Sequence, residues 1–272
     1  MALLKIQQLC KRFGGVSVFN GLDMAVEQGE IRCIIGPNGT GKTTLLFNMI
    51  TGRLRPDSGK ILFSDRNVVN LKVHEINRLG ISRKFQAPSV FEDMTVWNNL
   101  MIAGTGHSNA RELFTTRPDA QLQERAEHIL ASVRLSEQRH TLAGSLSHGQ
   151  KQWLEIGIVL LNEPQLILLD EPTAGMTLAE TAETADLILD IFKDRTAIII
   201  EHDISFVRRL NGRVTVLYRG GVMCEGSFDD VAANEAVRRV YLGKKSNAAG
   251  TGAGRSCLWR QSYLSGCQPP GG

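Results

Sequence analysis

A glycine-rich segment of the chain has residue types and spacing suited to holding an anion. It reads GPNGTGKTT and follows the apolar run EIRCII. The segment consists of Gly36, Pro37, Asn38, Gly39, Thr40, Gly41, Lys42, Thr43 and Thr44. Its glycines permit tight turns that aim successive backbone N–H groups at one anion, and a following helix would add the partial positive charge of its N-terminus. The pattern G-x-x-x-x-G-K-[ST] between a strand and a helix therefore predicts a phosphate-binding loop.

The last three side chains of this loop have separate predicted roles. Lys42 would bridge β- and γ-phosphate oxygens, Thr43 would ligate Mg²⁺, and Thr44 would add a hydroxyl to the phosphates. The structural alternative is a glycine-rich turn that arose by chance. A strand before the segment and a helix after it argue against that alternative.

A second segment, LILLDEP, ends an apolar run with two carboxylates. Asp170, at the end of the predicted strand, would hold the Mg²⁺ through water, and Glu171 would polarise the attacking water as a general base. The alternative is an acidic pair that opens an exposed loop. Two carboxylates at a strand end beside a phosphate loop predict a hydrolysis site.

Two further polar residues follow predicted strands. His202, in IIIEHD, is predicted to contact the γ-phosphate and orient water, although a lone histidine at a strand end is usually structural. Gln86, in RKFQAPSVF, ends a strand just before Pro88, and it is predicted to contact Mg²⁺ or the water. The alternative for Gln86 is a polar loop residue. Together these residues add a catalytic histidine and a second metal contact to the predicted site.

The stretch LSHGQ looks at first like part of a nucleophilic site, since Ser147 and His148 are adjacent. No nearby residue completes such a site. The order of a phosphate loop, Gln86, LSHGQ, a carboxylate pair and a later histidine instead resembles the nucleotide-binding subunits of ABC transporters. The resemblance covers residues 1 to 243, and its five ordered motifs make it specific.

The resemblance implies that LSHGQ binds ATP held by a second subunit. By analogy with that family, the Ser147 hydroxyl and the Gly149 backbone N–H would donate hydrogen bonds to the γ-phosphate. Gln150 belongs to the same motif. The partial positive charge of the helix N-terminus would favour binding of the phosphate anion. Two subunits would then face each other head to tail with two ATP molecules between them. The alternative is that Ser147 only caps a helix, a position for which serine is well suited.

The resemblance also assigns an adenine-stacking role and exposes two departures. Phe13, in KRFGG, would stack on adenine, or else belong to the core. The family usually has glycine where this chain has His148, and the larger side chain puts in question the close approach of a phosphate at that position. Thr177 stands where many relatives have aspartate in the loop that reports across the dimer, so coupling between the two sites is in question.

The elements that position these motifs follow from hydrophobic patterning. QLILLD and TAIIIEH are nearly continuous apolar runs joined by a predicted helix from about 178 to 193, which is typical of parallel strands buried on both faces. TTLLFNMIT predicts a helix that stops at Gly52. Residues from about 88 to 162 are predicted to be mainly helical, and one helix there has an apolar face. That face consists of Leu122, Ala126, Ile129, Leu130 and Val133.

The remaining elements complete an α/β fold. LLKIQQL, LDMAV and KILFS predict strands, RVTVLYRGGVMCEG predicts a hairpin turning at Arg219 to Gly221, and DVAANEAVRRVYL predicts a closing helix. The expected architecture is an ABC-type P-loop NTPase at residues 1–243, with a mainly parallel core sheet, an N-terminal antiparallel β subdomain and an inserted helical subdomain. Each nucleotide motif occurs once, so a tandem pair of cassettes is excluded.

Composition limits the remaining function classes. The net charge is +3, but residues 244–272 carry four basic residues and no acid, so residues 1–243 have a net charge of −1. A nearly neutral body argues against nucleic acid as a partner. The tail is rich in Gly, Ser and Pro and is predicted to be disordered, as either a vector-derived or frameshifted end or a native extension. No apolar run is long enough to span a bilayer, and no signal peptide is evident.

The five cysteines show no CxxC pair, no Cys/His cluster of metal-ligand spacing and an odd count, which indicates reduced thiols. Cys10, Cys33 and Cys224 lie in apolar strands and are predicted to be core residues. Cys257 and Cys267 lie in the tail. The chain is expected in the cytoplasm, and the resemblance to ABC transporter subunits implies a peripheral position on the inner face of the bacterial inner membrane.

Several segments narrow the resemblance. KRFGGVSVFNGLDM, RKFQAPSVFEDMTVWNNL and IIIEHDISFV are similar to the ATP-binding subunits of bacterial importers for branched-chain amino acids and related small polar solutes. GISRKFQAPSVFEDMTV together with LSHGQKQWLEIG is most similar to the urea importers of that group. The resemblance implies ATP and Mg²⁺ as ligands, and as partners a second ATP-binding subunit, transmembrane permease subunits and, indirectly, a periplasmic solute-binding protein. Urea is the predicted solute and branched-chain amino acids the alternative.

Two rival functions stay open at this point. A soluble ABC-type ATPase acting on nucleic acid usually has paired cassettes or a long coiled coil, and no sustained heptad repeat separates Gln86 from Ser147. A regulatory cassette that binds ATP without hydrolysing it is conceivable because of His148 and Thr177.

Overall fold

The computed structural model of the protein describes residues 1–36, 42–84, 90–105 and 120–242, without the side chains of residues 42–44, 105 and 242. The predicted tail at 244–272 lies outside the described residues. The boundaries of the predicted helical insertion therefore stay a prediction.

One sheet is antiparallel and has the order β2-β1-β4-β5. Its strands are β1 (Ala2–Phe13), β2 (Val16–Glu27), β4 (Ser58–Phe63) and β5 (Arg66–Asn67). Apolar side chains alternate with exposed ones along the end of β2, where Leu22, Met24 and Val26 are buried. Period-two alternation of this kind is what a sheet with one buried face requires. The N-terminal antiparallel sheet is confirmed.

The second sheet has the order β10-β9-β3-β8-β7-β6. Its strands are β3 (Ile31–Ile35), β6 (Ile81–Lys84), β7 (Leu166–Asp170), β8 (Thr196–Ile200), β9 (Arg213–Tyr218) and β10 (Gly221–Gly226). Neighbouring strands are parallel except for the β9–β10 hairpin. Every residue of β7 and β8 is buried, because one face of these strands packs against helices and the other against α1 (Lys42–Ile50) and the antiparallel sheet. The prediction of adjacent parallel strands from the two apolar runs is confirmed.

Helices connect and cover these sheets. They are α1 (Lys42–Ile50), α2 (Val73–Arg78), α3 (Val96–Thr105), α4 (Ala120–Ser132), α5 (His148–Leu160), α6 (Leu178–Ile191), α7 (Ile204–Leu210), α8 (Phe228–Ala233) and α9 (Glu235–Leu242). The predicted apolar face of α4 is buried at Leu122, Ala126 and Leu130. Within the described residues, no helix combines the length and the apolar character needed to cross a bilayer.

The sequence prediction was wrong for the closing segment of the fold. The closing segment forms two helices, because Asn234 adopts an extended backbone between α8 and α9, and its side chain accepts a hydrogen bond from the Ala236 N–H. Asparagine caps helices in this way, so it ends one helix and begins the next. The region predicted to be mainly helical contains α3, α4 and α5, and between α4 and α5 it forms turns and a short 3₁₀ helix, Ala143–Ser145.

The cysteine prediction holds for one residue of three. Cys33 is buried in β3, and burial raises the pKa of its thiol to about 12, so the thiol stays protonated. Cys10 and Cys224 are only partly buried, so neither is a full member of the core. Cys257 and Cys267 lie outside the described residues.

Candidate functional site

The carboxyl ends of three neighbouring strands meet at one edge of the parallel sheet. Ile34 of β3 pairs with Ile200 of β8, and Ile200 pairs with Asp170 of β7. Because the strands are parallel and in register, the residues that follow them leave the sheet at the same edge. Ligand sites of open α/β sheets form at this edge.

The phosphate-loop prediction is anchored at Gly36, immediately after β3. A Cβ atom at Gly36 would lie 2.9 Å from the carbonyl oxygen of Leu217, so the close approach of β9 admits only glycine there. The helix α1 then begins at Lys42, which gives the predicted order of strand, loop and helix. Pro37, Asn38, Gly39, Thr40 and Gly41 lie outside the described residues, as does Gln86, and so do the side chains of Lys42, Thr43 and Thr44.

Asp170 is held at the end of β7 by an arginine. Its side chain is 1% exposed, and its Oδ2 accepts a hydrogen bond of 2.8 Å from Nη2 of Arg83 on β6. Arg83 Nη1 also donates to Asn48 Oδ1 of α1 at 2.6 Å. Burial lowers the pKa of Arg83, and the charge of Asp170 opposes that shift. The ion pair therefore fixes Asp170 relative to both β6 and the helix after the phosphate loop.

The second oxygen of Asp170 is free to bind another ligand. Its Oδ1 is buried and has no hydrogen-bond partner among the described residues. Leaving a buried polar atom without a partner costs free energy, and a bound ion or water removes that cost. An ionised carboxylate oxygen is also a ligand that Mg²⁺ and its bound waters prefer. The site therefore fits the predicted metal contact.

Glu171 and His202 come together at the sheet edge. His202 Nε2 lies 2.9 Å from Glu171 Oε1, and about a third of each side chain is exposed. Glu171 has a φ of +47°, in the left-handed region that side chains other than glycine rarely adopt. Its N–H donates to the carbonyl of Ile200, which holds this sharp turn in place. Backbone strain of this kind is concentrated at functional sites.

A buried glutamate lies between the segments that carry Glu171 and His202. Glu201 is 3% exposed and accepts four hydrogen bonds, two from Thr173 and one each from the N–H groups of His202 and Asp203. Burial raises the pKa of Glu201. Its own N–H donates to the carbonyl of Ile34 on β3.

Ser147 caps α5 and remains able to donate a hydrogen bond. Its Oγ accepts from the Gln150 N–H at 3.2 Å, and Gln150 Oε1 accepts from the Ser147 N–H at 3.0 Å. This reciprocal capping box uses the oxygen of Ser147 as an acceptor and leaves the hydroxyl proton available. The structure thus confirms that Ser147 caps α5, and its binding of phosphate stays a prediction.

The N–H of Gly149 already has an acceptor within the chain. Glu180, near the start of α6, accepts hydrogen bonds from the N–H and hydroxyl of Thr177 and from the Gly149 N–H, which hold the pKa of Glu180 below its usual range. Thr177 caps α6, with Glu180 completing the capping box. An incoming phosphate would therefore compete with the Glu180 carboxylate for the N–H of Gly149.

His148 connects α5 to the segment after Glu171. Its Nε2 lies 2.9 Å from the carbonyl oxygen of Ala174. The next residue, Gly175, has a φ of +79°, and a Cβ there would lie 3.3 Å from His148 Nε2. The imidazole thus covers a turn that is left-handed and tightly packed.

We expect His148→Ala to loosen this turn. One hydrogen bond contributes about 1 kcal/mol, so local opening should become about five times more frequent. Alanine does not lower helix propensity, which keeps α5 intact. The measurement is hydrogen exchange at the amides of Ala174 and Met176. His140→Ala, at another exposed histidine, is the control; equal exchange rates in both variants would contradict a role for His148.

Phe13 is 46% exposed at the end of β1, so it is not a core residue. The Nζ of Lys11 lies 5.4 Å from the centre of its ring. The core alternative for Phe13 is therefore wrong. Stacking on adenine stays a prediction.

Sequence reasoning missed Arg83, Glu180 and Glu201. Each is a charged residue whose partner is distant in sequence or hidden in a cap, so neither periodicity nor a motif identifies it. A signal did exist for Arg83 and Glu201, because each lies within or directly after an apolar strand, where an ionised side chain needs a partner.

Comparisons with known proteins agree with this geometry. A family profile described as ABC transporter matches residues 19–174. The high-affinity branched-chain amino acid transport ATP-binding protein BraF of Pseudomonas aeruginosa is 34% identical over 251 residues, which is 89% of this chain and 98% of BraF. The corresponding LivG protein of Escherichia coli is 34% identical over 253 residues, with coverages of 89% and 98%.

Solved structures show the same fold. The ADP conformation of MJ1267, an ATP-binding cassette of an ABC transporter, superposes with a TM-score of 0.80 at 31% sequence identity. The match covers 89% of this chain and 99% of MJ1267. The curated relatives and the solved structure thus each match 89% of the chain.

Proposed function

The chain belongs to the ABC transporter ATP-binding subunits, of the branched-chain amino acid (LivG/BraF) type, and from that premise we propose how its residues hydrolyse ATP and what the hydrolysis drives. The protein is an ATPase. The proposals concern the roles of individual residues, the partner subunits and the transported solute.

The observation that carries the proposed mechanism is the 2.9 Å contact between His202 Nε2 and Glu171 Oε1 at the carboxyl edge of the sheet. Glu171 acts as the general base that takes a proton from the attacking water. His202 orients Glu171 and contacts the γ-phosphate. Gln86, which follows β6 in the sequence, contacts the metal or the water.

Mg²⁺ would be held by Asp170 through its free Oδ1 and by the Thr43 hydroxyl. Held there, the ion would supply positive charge that offsets the negative charge of the phosphates. Arg83 keeps Asp170 fixed and supplies the positive charge that balances its buried carboxylate. The phosphate loop, from Gly36 to Thr44, holds the triphosphate, and Phe13 stacks on the adenine.

The active unit is a pair of cassettes. Ser147, Gly149 and Gln150 of one subunit complete the site of the other, with the N-terminus of α5 directed at the γ-phosphate. ATP binding closes the pair, and the closure moves permease helices that dock near residues 86–96. The subunit lies on the cytoplasmic face of the inner membrane, and the permease connects it indirectly to a periplasmic binding protein. ATP shifts this equilibrium only as far as it binds the closed pair more tightly than the open one.

We propose urea as the solute, from the similarity of GISRKFQAPSVFEDMTV and LSHGQKQWLEIG to urea importers. Branched-chain amino acids are the second candidate, because BraF and LivG are named for their transport. Solute specificity lies in the membrane and periplasmic subunits, so the choice requires an uptake experiment.

In cells that lack this subunit, we expect uptake of labelled urea at low external concentration to fall to the passive rate, while leucine uptake is unchanged. Expression of the wild-type chain should restore urea uptake. Expression of the Glu171→Gln variant should not, because transport needs turnover. A loss of leucine uptake alone would reject urea and favour the second candidate.

A further inference from the structure

Glu201 is the buried carboxylate of the site that the mechanism above does not use. We propose that Glu201 is a positioning residue, which sets the distance between the Glu171 carboxylate and the His202 imidazole by tying together the two loops that carry them. The proposal rests on the catalytic roles proposed for Glu171 and His202.

The two oxygens of Glu201 serve different loops. Oε1 accepts from the N–H of Thr173 at 3.0 Å and from its hydroxyl at 2.6 Å. Thr173 is two residues after Glu171. Oε2 accepts from the N–H groups of His202 at 2.9 Å and Asp203 at 3.4 Å. One planar carboxylate therefore joins the loop of the base to the loop of the histidine.

Glu201 is also attached to the strand that leads into the phosphate loop. Its N–H donates to the carbonyl of Ile34 at 3.3 Å, two residues before Gly36. The side chain and backbone of Glu201 thus link all three strand ends that form the site. Displacement of any one of these strand ends would therefore displace the other two.

Only a carboxylate satisfies this arrangement. All four groups that face Glu201 are donors, three of them N–H groups and one a hydroxyl. An ionised carboxylate has acceptor capacity on both oxygens, whereas a glutamine has one accepting oxygen and an NH₂ group that only donates. Glu201→Gln would therefore keep one loop and leave the N–H groups of the other facing an NH₂ group.

The burial of this charge argues that its position matters. Glu201 is 3% exposed and lies next to the Ile200 strand end, away from any ion pair among the described residues. Burial raises the pKa of its carboxyl, which shows that ionising it costs free energy there. Four hydrogen bonds offset that cost, and all of them go to the loops next to Glu171 and His202.

The test compares Thr173→Val with Thr173→Ser in the purified full-length ATPase. Valine removes the hydroxyl that donates to Glu201 and keeps the shape, whereas serine keeps the donor. We expect Thr173→Val to lower kcat about 10-fold or more, with KM for ATP within about twofold, because misplacement of catalytic groups by about 1 Å can cost up to 100-fold. Thr173→Ser should recover most of the turnover. Glu201→Gln should lower kcat at least as much as Thr173→Val.

Thr215→Val is the matched control, since Thr215 is fully buried and its hydroxyl accepts from Arg32 instead of donating to Glu201. It should lower thermal stability without changing kcat. A purely structural role of Thr173 would make the two valine variants alike. Equal kcat values for Thr173→Val, Thr173→Ser and wild type would overturn the proposal, even if Glu201→Gln fails to fold.

Measurements on the Glu171→Gln variant, with and without a Thr173 substitution, distinguish failure of this proposal from failure of the proposed function. If Glu171→Gln alone retains full turnover, the assignment of Glu171 as the base fails. If Glu171→Gln is inactive and the Thr173 variants are fully active, the role of Glu201 fails. If the proposal is correct, adding Thr173→Val to Glu171→Gln lowers the residual rate no further, because both changes remove the same catalytic contribution.

Discussion

Glu171→Gln should reduce ATP turnover by at least about 100-fold while ATP binding is retained, because a general base contributes about 10²- to 10⁴-fold to a rate. Glutamine has almost the same shape, and its Oε1 can still accept a hydrogen bond from His202 Nε2. The contact of 2.9 Å is therefore preserved and only the proton acceptor is lost. The measurements are steady-state phosphate release and equilibrium binding of a fluorescent ATP analogue.

The same variant should accumulate as a dimer in the presence of ATP and Mg²⁺. Nucleotide that is not hydrolysed keeps the two cassettes closed, which light scattering would detect as a doubled mass. Adding Ser147→Ala should weaken that dimer, since Ser147 contributes to the site of the opposite subunit. A weaker dimer with unchanged ATP binding would show that Ser147 acts at the site of the opposite subunit and not in ATP binding by its own subunit.

Glu163→Gln is a stringent control for Glu171→Gln. Glu163 is likewise a glutamate with a left-handed backbone, at a φ of +48°, but it is exposed and pairs with Arg125 on α4. Turnover in this control should equal that of the wild type. Wild-type turnover in Glu171→Gln itself would exclude Glu171 as the base.

Hydrophobic patterns and turn residues in the sequence predicted many of the strands and helices. The apolar runs that became β7 and β8 were recognised because a strand buried on both faces has no polar positions. The hairpin between β9 and β10 was predicted with its turn at Arg219 to Gly221, and in the structure Arg219 and Gly220 both have positive φ values. The insertion of β3 between β8 and β9 could not be derived from such patterns, because strand order depends on contacts between distant segments.

The sequence predicted those parts of the candidate site whose functional residues lie within one short motif. Asp170 ends β7, Glu171 comes directly after it and His202 follows β8, and the parallel pairing of the two strands brings these residues to one edge. The roles of Arg83 and Glu201 could not be assigned from the sequence, because the role of a charged residue in or beside an apolar strand depends on a partner that the sequence does not identify. For His148, sequence reasoning considered only the approach of a phosphate, whereas the structure adds its contact with Ala174.

The largest stability effect is expected for Arg83→Met. This change leaves the Asp170 carboxylate buried without its partner, and removing one member of a buried ion pair costs about 3–5 kcal/mol in the free energy of unfolding. Methionine fills a similar volume over the Phe47 ring, so the loss of packing is small. Chemical denaturation of wild type and variant at neutral pH measures the difference.

Two further variants decide whether that loss comes from the ion pair. Arg134→Met removes an arginine whose pair with Asp190 is exposed, so it should cost no more than about 1 kcal/mol. The double variant Arg83→Met with Asp170→Asn removes both charges, and it should recover more than half of the stability lost in Arg83→Met, because no uncompensated carboxylate remains buried. If Arg83→Met is no less stable than Arg134→Met, the ion pair does not hold Asp170 in place, and the orientation that leaves Oδ1 available for a metal must have another cause.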